Sequence, residues 1–158
     1  TKCAGLIYVS VEHDGNTQNS EEEARVIVEI VRELRQCSFV DKGIARAIEG
    51  QNILLVAPYN MQVRCLRAAL PGFQIGSVDK FQGQEAPIVF LSMCTSNANE
   101  SARGMKFLFD KNRINVAVSR AQCMAIVTYS PSLLETTVSN TEQLGMVNLF
   151  CRLVKAIE

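Results

Sequence analysis

Residues 77–85 read SVDKFQGQE, and the apolar run 88–94, IVFLSMC, follows after Ala86 and Pro87. A nearly continuous apolar run of this length is typical of a strand that is covered on both faces of a parallel sheet. The polar stretch before it contains Gly83 and the acid Glu85, a composition typical of a turn. A polar turn beside a buried strand predicts an α/β fold with functional groups at an edge of its sheet.

Outward from this strand, apolar stretches alternate with helical patterns along most of the chain. The predicted strands are 6–11, 52–57, 73–78, 88–94 and 124–129. The predicted helices run from a cap at Asn19 or Ser20 to about residue 36, over 61–70 after a cap at Asn60, through 112–121, and over about 142–157. Segment 39–50 is compatible with a short helix or a connecting loop. The last helix is expected to bury an apolar stripe of Leu144, Val147, Phe150, Cys151 and Val154.

This alternation predicts one α/β domain over residues 1–158, with a doubly wound parallel sheet of about five strands and helices on both faces. Ligands of such sheets bind at the carboxyl ends of the strands. We therefore expect residues 58–59, 79–85 and 95–97 and Ser130 at that functional edge.

Bulk composition excludes several classes of function. The chain has 16 basic and 16 acidic residues, so its net charge does not indicate a nucleic-acid partner. Any contact with nucleic acid would have to be local. Its apolar runs are far too short to span a bilayer, and no charged-then-apolar leader is visible. We expect no membrane partner and a cytoplasmic location, or a nuclear one in a eukaryote. With 6 cysteines, 1 histidine and no CxxC, buried free thiols are favoured over disulfides or zinc.

Residues 112–121, NRINVAVSRA, place two arginines seven positions apart. At about 100° per residue, Arg113 and Arg120 lie within about 20° of each other on a helix, while the apolar positions share another face. Such a helix aims two cations at one ligand, and a phosphate fits them. The chain contains no GxxxxGK[ST] loop, no GxGxxG and no GxSxG elbow, so it is not predicted to cradle a phosphate or hold a nucleophile by itself.

Four stretches together resemble the second RecA-like domain of superfamily 1 helicases, most closely those of group 1B. Residues 19–24 (NSEEEA) loosely match the N-x-x-E-A opening of the family's first helix, and 53–62 (ILLVAPYNMQ) resembles its strand ending in a Pro-Tyr-x-x-Gln turn. Residues 77–85 resemble motif V, S/T-V-D-x-F-Q-G-x-E, and 112–121 resemble motif VI, R-x-N-V-A-x-S/T-R-A. The resemblance implies a RecA-like fold of the P-loop NTPase type that lacks the Walker A loop.

The same resemblance implies roles for individual residues. Arg120 matches the motif VI arginine that acts as a catalytic arginine finger on the γ-phosphate of ATP held by the other RecA-like domain. The implied ATP-binding residues are Glu85, Gly83, Arg113 and Gln62. The implied nucleic-acid-binding residues are Pro58, Tyr59, Ser77, Asp79 and Gln82. Gln122 stands where the family often has a second arginine, which puts a paired guanidinium in question.

The implied cofactors are ATP and Mg²⁺, bound mainly by a first RecA-like domain that this chain does not contain. The implied partners are single-stranded DNA or RNA and that N-terminal RecA-like domain. The chain is therefore expected to be the C-terminal motor half of an ATP-dependent helicase or translocase, a fragment of a larger chain that is inactive alone. The alternative is a catalytically inactive RecA-like module that serves as a nucleic-acid or protein-binding scaffold.

Structural roles stay open beside several of these functional ones. Tyr59 is compatible with packing as well as base stacking, and Asp79 and Glu85 with capping a turn. The polar stretch 13–16 reads as a loop, and the acidic run 21–23 as a solvated helix start.

Overall fold

A computed structural model describes residues 5–81 and 83–155. The strands are β1 (Gly5–Ser10), β2 (Ser38–Asp41), β3 (Ile44–Ala47), β4 (Ile53–Val56), β5 (Gln74–Gly76), β6 (Ala86–Ser92) and β7 (Ala121–Tyr129). The helices are α1 (Glu21–Leu34), α2 (Asn60–Ala69), α3 (Met105–Leu108), α4 (Lys111–Ser119) and α5 (Thr141–Lys155). Five of the strands form a parallel sheet in the order β1-β7-β6-β4-β5.

Both faces of the central strands β4 and β6 are buried, as their apolar runs predict. The edge strand β1 is only partly covered, and its Ile7 is 40% exposed. Along β6, Ile88 and Phe90 pack into a cluster with residues of α1 and α2, whereas Val89 and Leu91 pack into a second cluster with residues of α3, α4 and α5. Successive side chains of a strand point to opposite faces, so one strand serves both clusters. The predicted α/β fold with helices on both faces is confirmed.

Helix α1 begins where the sequence predicts. Ser20 is its N-cap, and the Ser20 hydroxyl accepts a hydrogen bond from the backbone N–H of Glu23 at 3.0 Å. Ala24, Ile27 and Val31 form its buried stripe, at the spacing of an amphipathic helix.

Segment 39–50 differs from both interpretations of its sequence. It forms most of an antiparallel hairpin of β2 and β3, in which Val40 pairs with Ala45, followed by a 3-10 turn at Gly50–Asn52. Lys42 and Gly43 connect the strands with φ values of 50° and 81°, the left-handed geometry of a two-residue hairpin turn. The hairpin is largely exposed, so it lacks the apolar alternation that would have predicted strands.

Several predicted boundaries shift for local reasons. Strand β6 ends at Ser92 rather than at residue 94, because Cys94 has a φ of 53° and turns the backbone. Tyr59, not Asn60, occupies the N-cap position of α2, and Asn60 is already helical. Of the stripe expected on α5, Leu144 is 45% exposed because it lies on the solvent side of the helix.

No helix in the described parts of the chain is long and apolar enough to cross a membrane. The cysteines within those parts, Cys37, Cys65, Cys94, Cys123 and Cys151, are all free thiols. Only Cys94 among them is buried, whereas Cys37 is exposed and the other three are half-buried, so the prediction of buried thiols is correct for Cys94 alone. Cys3 lies outside the described residues. Burial raises the pKa of the Cys94 thiol well above its usual value, which keeps this thiol protonated and unreactive.

Candidate functional site

Arg120 lies at the junction between helix α4 and strand β7. The helix begins at an Asp110 cap, whose carboxylate accepts from the Asn112 N–H at 2.9 Å, and it is anchored by buried Ile114 and Ala117. Arg120 is the C-cap residue, and β7 starts at the next position. The arginine therefore lies between a helix that is anchored in the core by two buried residues and a strand of the sheet.

Arg113 and Arg120 line one pocket of about 240 Å³, as their spacing predicts. Its other lining residues are Val78, Asp79, Asn112 and Val116. Arg113 forms an ion pair with Asp110 at 3.6 Å. Arg120 has no carboxylate partner among the described residues, and its buried Nε has no hydrogen-bond partner. A guanidinium with an unsatisfied buried donor is suited to an anionic ligand.

The end of motif V lies next to Arg120. The Ala86 N–H donates to the Arg120 carbonyl at 3.0 Å, which places Glu85 beside the start of β7. The exposed Glu85 carboxylate accepts from Gln122 Nε2 at 3.4 Å. Gly83 has a φ of 81°, so its backbone geometry favours glycine.

This placement corrects one expectation. Residues 79–85 do not all lie at the carboxyl edge of the sheet, because Glu85 immediately precedes β6 and so lies at the amino end of that strand. Motif V starts after β5 and ends before β6, so it crosses from one edge of the sheet to the other. Strands β5 and β6 lie on either side of β4 and run parallel, so the chain between them must return across the sheet.

The start of motif V lies at the carboxyl edge, as predicted. Ser77 follows β5 and Pro58 follows β4, and both line a narrow crevice together with Phe107 and Arg113. Asp79 is exposed and begins the 3-10 turn Asp79–Phe81. Gln82 lies outside the described residues. Arg113 therefore borders both the crevice and the pocket of Arg120.

Tyr59 is 4% exposed, which supports the packing interpretation of this residue. Its hydroxyl is hydrogen-bonded to Ser101 Oγ, and its ring lies 5.4 Å from that of Phe107 with an interplanar angle of 45°. Its contact with nucleic acid stays a prediction.

Glu23 is the residue whose role the sequence reasoning missed. It is fully buried rather than solvated, and its carboxylate accepts from Ser92 Oγ at 2.5 Å, Thr128 Oγ1 at 2.7 Å and the Cys94 N–H at 3.2 Å. These donors lie at the carboxyl ends of β6 and β7. The left-handed backbone of Cys94 aims its N–H at this carboxylate, so a strained turn is stabilised by a charge-assisted hydrogen bond.

His13 completes this network, although its stretch read as a simple polar loop. His13 Nε2 lies 2.9 Å from Glu23 Oε1, and Nδ1 lies 2.7 Å from Ser96 Oγ. Because Glu23 already accepts from other donors, the tautomer with Nε2–H donating to Glu23 satisfies every group. The order Ser96–His13–Glu23 resembles a nucleophile with its base and orienting acid, but Ser96 and Glu23 are 0% exposed. No substrate reaches this serine, so the arrangement is structural.

Gln62 belongs to the same network. Its Oε1 accepts from the Ser20 N–H at 2.7 Å, and its Nε2 donates to Ser92 Oγ at 2.9 Å and to the Ser20 carbonyl at 3.2 Å. The side chain is 0% exposed and all of these groups are satisfied, so it joins the starts of α1 and α2 to the end of β6. Its ATP contact stays a prediction. The spacing Ser20-x-x-Glu23, which matches a capping box, was the one sequence signal for the network.

Other surfaces hold none of the predicted site residues. A groove of about 800 Å³ lies between α1 and α2, with arginines on both sides of an apolar floor and glutamates on the α1 side. In residues 5–81 and 83–155, no group of three or more His, Cys, Asp or Glu side chains is arranged to hold a metal ion.

The sequence profile of a family described as an AAA domain matches residues 8–131. The chain belongs to this family. The matched residues include the four motif stretches, the buried network and Arg120. The resemblance to superfamily 1 helicases is confirmed over most of this AAA domain by relatives whose names identify them as helicases.

The domain is 31% identical over 145 residues to the DNA replication ATP-dependent helicase/nuclease JHS1 of Arabidopsis thaliana, which covers 86% of this chain and 10% of that protein. It is 33% identical over 157 residues to the DNA-binding protein SMUBP-2 of Mus musculus, covering 93% and 14%. It is 29% identical over 135 residues to the RNA helicase Mov10l1 of Homo sapiens, covering 74% and 11%. The chain thus spans between 10% and 14% of the length of these curated relatives.

Proposed function

We propose that this domain is the second motor half of an ATP-dependent nucleic-acid helicase or translocase. The proposal rests on Arg120, a guanidinium at a helix–strand junction whose buried Nε has no hydrogen-bond partner in the part of the chain that the structure describes. A purely structural arginine in this position would be expected to pair with a carboxylate, as Arg113 does with Asp110. Arg120 is instead left for a ligand from outside the domain.

Arg120 is proposed to act as the arginine finger of a composite ATP site. A positioned guanidinium stabilises negative charge that develops on transferring phosphoryl oxygens, typically worth ~10³–10⁵ in rate. Glu85 and Gly83 adjoin this arginine through the Ala86–Arg120 hydrogen bond and would form the same wall of the cleft. ATP supplies the transferable phosphoryl group, and Mg²⁺ would be held mainly by a first RecA-like domain, because this chain contains no phosphate-binding loop.

The opposite edge of the sheet is proposed to contribute part of a single-strand track. Pro58 and Ser77 line one crevice there, and Arg113 borders it. Motif V would then connect two sites, because it begins at the crevice and ends at Glu85. The names of the relatives include a DNA replication helicase and an RNA helicase. Single-stranded DNA and single-stranded RNA are therefore both candidate ligands of this track.

The first prediction separates a motor half from an autonomous enzyme. The isolated domain should hydrolyse no ATP, with or without single-stranded nucleic acid, because Arg120 and Glu85 form only one wall of the site. The full-length protein should hydrolyse ATP, and single-stranded DNA or RNA should stimulate it. Steady-state phosphate release measures both.

Two outcomes would contradict the proposal. One is ATP turnover by the isolated domain at the rate of the full-length protein. The other is a full-length protein without a GxxxxGK[ST] loop and without turnover, which would favour the inactive scaffold.

A further inference from the structure

The aromatic ring of Phe107 contacts the guanidinium groups of two arginines. The Cζ atoms of Arg103 and Arg113 lie 4.0 Å and 4.1 Å from the centroid of its ring. Cations this close to an aromatic ring are attracted by its π electrons, and the planar guanidinium also stacks on it. Arg103 precedes α3 and Arg113 belongs to α4, so the ring joins a loop to the motif VI helix.

The two arginines differ in their charge partners. Arg113 is paired with Asp110 at 3.6 Å, whereas no carboxylate lies within 4.0 Å of Arg103 in the described parts of the chain. Arg103 is nevertheless exposed, so its cation is held in position by the ring without being neutralised. A positioned and uncompensated guanidinium is suited to a phosphate oxygen.

The backbone around Arg103 is also held. Ser101 Oγ is hydrogen-bonded to the Tyr59 hydroxyl and donates to the Gly104 carbonyl at 3.3 Å. The Gly104 N–H donates to the Ser101 carbonyl at 3.1 Å, and Gly104 has a φ of 80°. Arg103 thus lies in a closed turn that is attached to the segment after β4.

The ring places Arg103 beside the proposed track. Phe107 lines the crevice that contains Pro58 and Ser77, at the carboxyl ends of β4 and β5. We propose that Arg103 is a strand-binding residue that contacts a backbone phosphate of single-stranded nucleic acid at this crevice, with Phe107 as the platform that positions it. This inference rests on the proposed function and adds to its track a residue outside the motifs.

The test uses the full-length protein and the oligonucleotides oligothymidylate and oligouridylate, which separate DNA from RNA. Arg103→Gln should weaken binding of the strand that the protein prefers by about five- to tenfold, because one charge-assisted contact is lost. The slope of log affinity against log salt should fall by about 0.7, the value for one phosphate of a single strand. Arg32→Gln, at another exposed arginine without a carboxylate partner among the described residues, is the matched control.

Turnover supplies a second readout. Arg103→Gln should raise the strand concentration that half-maximally stimulates ATP hydrolysis and leave the rate at saturation unchanged. Phe107→Leu should also lower the affinity for the oligonucleotide. Arg103→Gln should lower that affinity less in the Phe107→Leu background, because the ring that positions Arg103 is already absent.

The outcomes distinguish the inference from the proposed function. Affinity and salt slope equal to those of Arg32→Gln would overturn the role of Arg103 alone. A full-length protein that binds neither oligonucleotide at low salt would overturn the proposed function, and this inference with it.

Discussion

At the scale of single residues, two buried tyrosine hydroxyls differ in whether they have a hydrogen-bond partner. Tyr8 packs edge-on against Tyr129 and Phe150 at 6.2 Å from each ring, and its buried hydroxyl has no hydrogen-bond partner within residues 5–81 and 83–155. Burial, and secondarily Tyr129, raises the pKa of Tyr8 to about 12. Tyr59 is also buried, but its hydroxyl is hydrogen-bonded to Ser101. The first hydroxyl costs stability and the second contributes to it.

Tyr8→Phe should therefore raise the free energy of unfolding at pH 7 by about 1 kcal/mol, since it removes an unsatisfied buried hydroxyl. The folded pKa of Tyr8 exceeds its ordinary value of 10.0, so the cost of this hydroxyl is constant below pH 10, where the group is neutral in both states. The cost grows as the pH rises towards about 12, because the unfolded chain ionises first. The variant should lose less stability over that window. Urea unfolding at pH 7 and pH 11 measures both effects. Tyr59→Phe is the control and should destabilise; a Tyr8→Phe variant that is equally destabilised would refute the account.

At the scale of elements, the Glu23 network explains how loops and helix starts are joined at the carboxyl edge. One carboxylate on α1 binds the ends of β6 and β7, and Gln62 ties α2 to the same point. The sequence predicted both helices, because their apolar stripes repeat at helical spacing. It did not predict the network, because burial of Glu23 depends on residues 69 to 105 positions away. Local pattern carries no such information.

Glu23→Gln should destabilise the domain by about 2–4 kcal/mol, because the new amide places a donor where the carboxylate accepts from several donors. Glu29→Gln is the matched control on the exposed side of α1 and should change stability by less than about 0.5 kcal/mol. Chemical unfolding at neutral pH compares the two. Equal stabilities would show that the network contributes little.

The hairpin of β2 and β3 was also not predicted from the sequence, but for a different reason. Its strands are four residues each and mostly exposed, so burial does not pattern them. The only local signal was the pair Lys42-Gly43, which adopts left-handed geometry. This pair is not one of the Asn-Gly, Asp-Gly or Gly-Gly pairs that favour such a turn, so turn chemistry did not predict the hairpin either.

At the scale of the whole molecule, the sheet was predictable because its central strands β4 and β6 are buried on both faces and its strands read as apolar runs. The sequence did not predict that the proposed site is divided between the two edges of the sheet. Motif V joins Ser77 at the end of β5 to Glu85 at the start of β6, and only the parallel pairing of the sheet separates these residues. A domain built in this way presents Arg120, the proposed arginine finger, at one edge and the proposed strand track at the other.

The central claim is that Arg120 completes an ATP site formed with another domain. Its most direct test is steady-state ATP hydrolysis by the full-length protein carrying Arg120→Ala, at saturating single-stranded nucleic acid, with Arg32→Ala as the control. We predict that Arg120→Ala lowers turnover at least about a hundredfold while ATP affinity falls much less, because the guanidinium acts mainly on charge in the transition state. Turnover close to that of the control would contradict the claim.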